Sequence, residues 1–219
     1  MQNAQTKPRF KRHLIYVVSC KLGEGQNMFS LTTVGRFAEQ YPKGKFISLL
    51  IISLTAFIFF NVYLGIMYEN TGYPVPLIEG QTRFSAELLK SDFSVLIDKN
   101  TLSDYILIQY LDLGIMISTA VFFTMLSLYL SRRIRVTKWK RKLIAISLLF
   151  PLSSFFDLAE NIFLLTMVYN PEEFSSWLAI CYSSSAVLKL SAFFIGLISI
   201  VVIHVLYNLN TRKAANNGG

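Results

Sequence analysis

Apolar residues are concentrated in four long windows of this chain. The windows are residues 46–68, 105–130, 143–169 and about 177–207. Each is long enough to cross a bilayer core, for which a helix needs roughly 20 predominantly apolar residues. The pattern therefore predicts an all-α fold, an integral membrane four-helix bundle with four transmembrane helices.

A shorter periodic pattern lies in the long polar connection of residues 69–104. Residues 82–97 carry apolar side chains at mixed three- and four-residue spacing with charged residues between them. This spacing predicts a short amphipathic helix on the outer membrane face. Residues 28–41 show a looser apolar face, which favours a second interfacial helix.

The remaining segments complete the predicted domain organisation. Residues 1–45 form a basic arm with too little apolar content for a core of its own. The four-span membrane domain covers residues 46–210, and a tail of residues 211–219 is predicted to be disordered.

Composition agrees with a membrane protein. The 219 residues are 53% hydrophobic and only 16% charged, whereas soluble domains carry about a quarter charged residues. Basic residues precede the first window, fill the loop of residues 131–142 and follow the fourth window, while the other two connections are acidic on balance. The positive-inside bias then predicts that both termini are cytoplasmic in a multi-pass protein of the inner or plasma membrane.

The net charge of +8 is explained by this topology, so no nucleic-acid partner is predicted. The predicted partners are the lipid bilayer itself and anionic lipid headgroups at the cytoplasmic loop 131–142. Four spans are few for a complete secondary transporter, which favours a homo-oligomer or a larger membrane complex.

Several kinds of site lack their characteristic residues. The two histidines, His13 and His204, lie on separated segments, and Cys20 and Cys181 fall at opposite predicted membrane sides. No nucleotide-binding loop or nucleophile elbow is present. We therefore predict no metal site and no cofactor.

Polar residues interrupt the third apolar window along one side of the predicted helix. Ser153, Ser154, Asp157, Glu160 and Asn161 fall within roughly a third of the helix circumference. Hydrocarbon cannot satisfy such a stripe, so it must face protein or water. Pro151, one and a half turns earlier, predicts a kink beside the stripe.

Three further polar residues lie at similar predicted depths in the other windows. Counted from the outer ends, the depths are roughly 10 Å for Asn61, 11 Å for Asp112, 13 Å for Glu160, and 18 Å for Asp157 and Lys189. We expect these groups to meet in the outer half of the bilayer.

The charge count gives the predicted site its chemistry. Three carboxyls against one ammonium would leave a net charge of minus two in a low-dielectric bundle if all were ionised. Either one or two carboxyls carry a proton at neutral pH, or a cation joins them. The leading hypothesis is a transporter, or a subunit of a transport complex, that binds a proton or cation coupled to a small solute. Its binding residues are Asp112, Asp157, Glu160, Asn161, Lys189 and Asn61.

Two alternatives use the same residues. In an intramembrane enzyme acting on a lipid or isoprenoid-like substrate, Glu160 would be the general acid and Asp157 or Asp112 the base. A cavity open sideways to lipid would favour that function. In a structural or assembly subunit, the network would only specify how the helices associate.

Overall fold

The computed structural model describes residues 31–216, apart from the side chains of Thr32 and of residues 212–216. The predictions for His13 and Cys20, the start of the 28–41 helix and the end of the tail lie outside the described residues. Eight helices form the described part of the chain: α1 Leu31–Gln40, α2 Lys43–Thr71, α3 Leu77–Gln81, α4 Ala86–Asp98, α5 Leu102–Arg133, α6 Thr137–Ser147, α7 Leu149–Val168 and α8 Ser176–Asn216.

Four helical stretches are long and apolar enough to cross a membrane. They are α2, α5, the pair α6 and α7, and α8. Helices α2, α5 and α8 each contain one predicted window, and the pair α6 and α7 contains the third window except its last residue, Tyr169. Large apolar side chains such as Ile52, Ile117 and Phe155 are exposed on their outer surfaces, as expected for helices solvated by lipid. The prediction of an all-α, four-span membrane bundle is confirmed.

The long helices pack in the order α2, α5, α7, α8, and α6 contacts both α5 and α8. Two glycines mark close approaches. A Cβ on Gly114 of α5 would lie 2.5 Å from the Phe60 ring of α2, and a Cβ on Gly196 of α8 would lie 3.0 Å from the Phe150 ring of α7. These positions need glycine because a neighbouring aromatic ring occupies the space of a side chain. Helix α2 is thus seated on α5.

The third span is interrupted at Leu148, in the turn that precedes Pro151. Helix α6 ends at Ser147 and α7 begins at Leu149. Proline has no N–H to offer the carbonyl of residue 147, and its ring crowds that carbonyl. Thr124 Oγ1 of α5 donates to this carbonyl at 3.2 Å. The kink predicted from Pro151 is therefore present, and the carbonyl that it leaves without a helical partner is bonded by the neighbouring span.

The loop between α2 and α5 forms a packed cap at one end of the bundle, which we call the acidic end. Helix α4 begins at Ala86, four residues after the predicted start, because Phe84 has a positive φ of 54° and Ser85 is the N-cap, accepting from the Leu88 amide at 3.3 Å. Its side chains Leu89, Phe93 and Leu96 are completely buried. The predicted amphipathic helix is confirmed, and its apolar face packs on the bundle.

Helix α1 is attached at the opposite end, which we call the basic end. Arg132 of α5 donates to the carbonyls of Glu39 at 3.2 Å and Tyr41 at 3.1 Å, and so satisfies carbonyls at the end of α1. The Glu39 carboxylate pairs with Lys140 of α6, and Ala38 is completely buried. The helix predicted over residues 28–41 is therefore present from Leu31 to Gln40, and its interfacial position stays a prediction. The assignment of this end to the cytoplasm stays a prediction.

Candidate functional site

The buried charges of α7 and α8 form an ion-paired group. Lys189 Nζ lies 2.9 Å from Asp157 Oδ1 and 2.6 Å from Glu160 Oε2. Lys189 Nζ donates to Asp157 Oδ1, and its shorter contact pairs it with Glu160 Oε2. Glu160 is 1% exposed and Asp157 is 9% exposed. We call these three residues the charged triad; one ammonium in it faces two carboxyls.

Two adjacent serines fix α7 between its neighbours. Ser153 Oγ donates to the carbonyl of Lys189 on α8 at 2.9 Å, and Ser154 Oγ donates to the carbonyl of Met116 on α5 at 3.0 Å. The predicted polar stripe therefore serves two partners: its Ser153, Asp157 and Glu160 side faces α8, and its Ser154 and Asn161 side faces α5. This division follows from the helix period of about 100° per residue, which places the centres of the two groups about 80° apart.

Asn161 connects α7 to a third carboxyl, that of the half-buried Asp112. Its Nδ2 donates to Asp112 Oδ2 at 2.8 Å and lies 3.6 Å from Met116 Sδ. The ion pairs of the described residues do not include Asp112. Asp112 is thus held by an amide and has no basic side chain in contact with it, although it lies beside the charged triad.

A cavity of about 620 Å³ opens next to Asp112. Helix α2 forms one wall, α5 forms another, Asn161 is the contribution of α7, and the segment after α2 covers the acidic end. Its lining is Asn61, Leu64, Gly65, Tyr68, Glu69, Tyr73, Pro74, Val75, Pro76, Leu77, Gln81, Ile108, Gln109, Asp112, Ile115 and Asn161.

The polar lining of this cavity has one sign of charge. Two carboxyls, Asp112 and Glu69, and four side-chain amides face it, and none of its lining residues is basic. Of the triad, no member lines the cavity. The surface therefore offers hydrogen bonds and favours neutral or positively charged groups over anions.

Five of the six residues predicted to bind a ligand come together, and the sixth takes a separate place. Asp112 and Asn161 form one hydrogen-bonded pair, and Asp157, Glu160 and Lys189 form the charged triad. The consecutive residues Glu160 and Asn161 of α7 join the two groups, which we together call the network. Asn61 lies on the α2 wall of the cavity, and its amide donates to the Phe57 carbonyl of its own helix at 2.7 Å.

Sequence reasoning missed the cover of the cavity. Tyr73, Pro74 and Pro76 line it from the segment between α2 and α3. The two prolines predict only an extended turn, and a turn does not indicate which helices it will cover.

We compared the chain with protein-family models, with curated protein sequences and with solved structures. Nothing matches in any of the three. Function is therefore inferred from the geometry of the cavity and of the network beside it.

A polar group at the acidic end anchors the cavity cover. Tyr73 Oη donates to Asp92 Oδ2 at 3.1 Å, and Arg83 Nη1 lies 3.3 Å from Asp92 Oδ1. Arg83 also contacts Glu79 at 3.3 Å. Asp92 is buried, so desolvation raises its pKa, while Arg83 and the Tyr73 hydroxyl act in the opposite direction. Tyr73, which lines the cavity, is thereby tied to α4.

This carboxyl gives a pH dependence to the stability of the cap. Because the pKa of Asp92 is higher in the folded than in the unfolded chain, the folded state binds more protons, and the free energy of unfolding falls as pH rises through that interval. We expect Asp92→Asn to reduce this fall between the ordinary aspartate pKa and the raised one. The measurement is the thermal midpoint of both proteins in detergent across acid pH; parallel curves would contradict the expectation.

Proposed function

We propose that this membrane protein binds a proton or a small cation at Asp112 and couples this binding to a small solute in the adjacent cavity, as a transporter or as a subunit of a transport complex. The observation that carries the proposal is the position of Asp112. It lines the cavity, has no basic contact within the described residues, and lies beside a triad that already contains one excess carboxyl.

The charge balance supports Asp112 as the exchangeable position. Lys189 can neutralise only one of its two carboxyl partners, and both are buried. If Asp112 were also ionised, the network would carry two uncompensated negative charges in a low dielectric, which is costly. Asp112 is the carboxyl of the network that reaches the cavity, so a proton or cation arriving from the cavity reaches it first.

The hydrogen bond from Asn161 offers a route for coupling. Its Nδ2 bonds the Asp112 carboxylate, and Asn161 directly follows Glu160 of the triad on α7. A proton or cation on Asp112 weakens the acceptor that Asn161 holds. Weakening this hydrogen bond shifts the equilibrium between packing arrangements of α5 and α7, and a change in that packing alters the cavity.

The cavity itself is too large for a proton alone. A volume of about 620 Å³ is in the range of sites for small organic molecules. Amides of Asn61, Gln109 and Asn161 supply donors and acceptors, and Tyr68 and Tyr73 supply aromatic surface. This lining suits a neutral or cationic solute with hydrogen-bonding groups.

The geometry supports the two alternatives less well. The enzyme hypothesis uses Glu160 as the acid with Asp157 or Asp112 as the base, but Asp157 and Glu160 do not line the cavity and Glu160 contacts Lys189. A purely structural network does not require a carboxyl beside a polar cavity. It would, however, account for Asp112 if replacement by asparagine changed nothing but stability.

The decisive experiment follows the carboxyl bands of the purified protein in lipid nanodiscs by infrared difference spectroscopy. We expect Asp112→Asn to remove a carboxyl band that responds to pH and to added sodium. Asparagine can still accept from Asn161, so the fold should be kept. Glu69→Gln, on the α2 wall of the same cavity, is the matched control and should keep the response. An identical response in wild type and Asp112→Asn would refute the proposal.

A second variant tests the cavity without altering charge. A Cβ on Gly65 would meet no atom within 4 Å, so Gly65→Leu places a side chain in the cavity, and replacing a helical glycine costs no helix propensity. We expect an unchanged thermal midpoint together with a loss of the cation response. Retention of that response would show that Asp112 is reached from elsewhere.

A further inference from the structure

A second cavity, of about 390 Å³, lies at the basic end between α1 and the start of α6. Four basic residues line it, Arg36, Arg135, Lys140 and Arg141, with Glu39 as the one acidic residue of the lining. We call it the basic cleft. Its charge is opposite to that of the cavity at Asp112, so it selects a different ligand.

Most of the positive charge in the basic cleft is not neutralised by the residues that the structure describes. Glu39 is engaged with Lys140, whose hydrogen bond and charge lower the pKa of Glu39. The ion pairs of the described residues involve none of the three arginines of the cleft. Because three like charges line one small cavity, an anion bound there would lower their electrostatic energy.

Contacts between neighbouring helices hold the walls of the cleft in place. Arg132 bonds the carbonyls at the end of α1. On the inner side, a Cβ on Gly35 would lie 3.2 Å from Ile144 Cδ1, so α1 approaches α6 closely there. The cleft is thus formed by two helices in contact, and arginines come from α1, from the α5–α6 connection and from α6.

The start of α6 adds backbone donors to these side chains. Thr137, the first residue of α6, lines the cleft. The preceding Val136 provides no side-chain cap, and its carbonyl accepts from the Trp139 amide at 3.1 Å. The amides of Thr137 and Lys138 are therefore the donors at the positive end of this helix dipole. Amide donors of this kind bind phosphate groups.

We propose that the basic cleft binds a phosphate group, and that a membrane lipid headgroup supplies it. The planar guanidinium matches two phosphate oxygens at once, which favours arginine where phosphate is recognised. Leu31 and Ile144 provide an apolar border, and the neighbouring α2 and α6 lead directly into the membrane-spanning region. A lipid can therefore place its phosphate among the arginines and its acyl chains beside the helices.

The test measures the thermal midpoint of the full chain in neutral detergent with dioctanoyl phosphatidic acid, dioctanoyl phosphatidylcholine or inorganic phosphate. We expect stabilisation by phosphatidic acid and none by phosphatidylcholine. Arg36→Gln/Arg141→Gln should raise the apparent dissociation constant by about tenfold or more, since each basic residue near an anionic surface contributes several-fold. Lys138→Gln/Lys142→Gln removes the same charge from α6 without removing a residue that lines the cleft.

The outcomes separate the sources and the site. Competition by inorganic phosphate would support recognition of the phosphate group itself, and binding of the lipid without such competition would support the headgroup together with its chains. Equal loss in both double variants would mean general attraction between charges and would overturn the assignment to the cleft.

One variant of opposite sign excludes misfolding as an explanation. Glu39→Gln removes the carboxylate of the cleft and releases Lys140, so phosphatidic acid should bind several-fold more tightly. An unfolded protein cannot produce that gain. Unchanged or weaker binding by Glu39→Gln would contradict the proposal, whatever the arginine variants do.

Discussion

Replacing Lys189 by methionine should destabilise the protein by about 3–5 kcal/mol, the usual cost of leaving a buried charge without its partner. Lys189 contacts both carboxyls of the charged triad, and Glu160 is almost completely buried. Methionine keeps much of the side-chain volume but removes the ammonium. We expect a large fall of the thermal midpoint in detergent, or loss of folded protein from the membrane.

The triad also provides the matching rescue. Lys189→Met combined with Asp157→Asn and Glu160→Gln removes all three charges together, and should recover a large part of the lost stability. Lys45→Met, at an exposed position of α2, is the control for loss of a lysine. A Lys189→Met protein as stable as the Lys45→Met protein would show that the carboxyls do not depend on the ammonium.

The second large effect is expected at Gly114. Leucine at this position must displace the Phe60 ring, because even a Cβ would lie 2.5 Å from it. Overpacking of this kind costs about 1–3 kcal/mol. Since α2 is seated on α5 at this contact and forms one wall of the Asp112 cavity, the same change should also weaken the cation response of Asp112.

A double-variant cycle measures this contact. Phe60→Ala should restore most of the stability of Gly114→Leu, because it vacates the space that leucine needs. The control is Gly44→Leu, at a position where a Cβ would meet no atom within 4 Å, and it should leave the thermal midpoint unchanged. If Phe60→Ala and Gly114→Leu simply added their costs, the two residues would not share one contact.

The four-span fold could be predicted because the length of an apolar segment determines whether its helix can cross the bilayer. A run of about 20 apolar residues leaves a helix few alternatives to crossing the bilayer. The proximity of Asp112, Asp157, Glu160 and Lys189 was expected from depth along three helices, whereas the bond from Asn161 to Asp112 was not specified by that count. Depth is additive along a straight helix, which is why these predictions could be made without any partner structure.

Rotation and loops could not be read in the same way. Asn61 was expected to meet the buried charges, but it lines the cavity wall and its amide bonds its own helix. The cover formed by Tyr73 and the prolines depends on Asp92 and Arg83, which follow later in the chain. Such contacts join segments whose relative placement is set by packing, and packing leaves no periodic signal in the sequence.

The charged triad also constrains how the protein is made. Asp157 needs a partner that is synthesised 32 residues later, so α7 alone would have to enter lipid with unpaired carboxyls, each costing about 2.5–3.5 kcal/mol at the centre of a span. Helix α2 carries no comparable burden and can be released into the bilayer first. We therefore expect α7 and α8 to leave the translocon as one hairpin, so that the residues that define the site also set the order of its assembly.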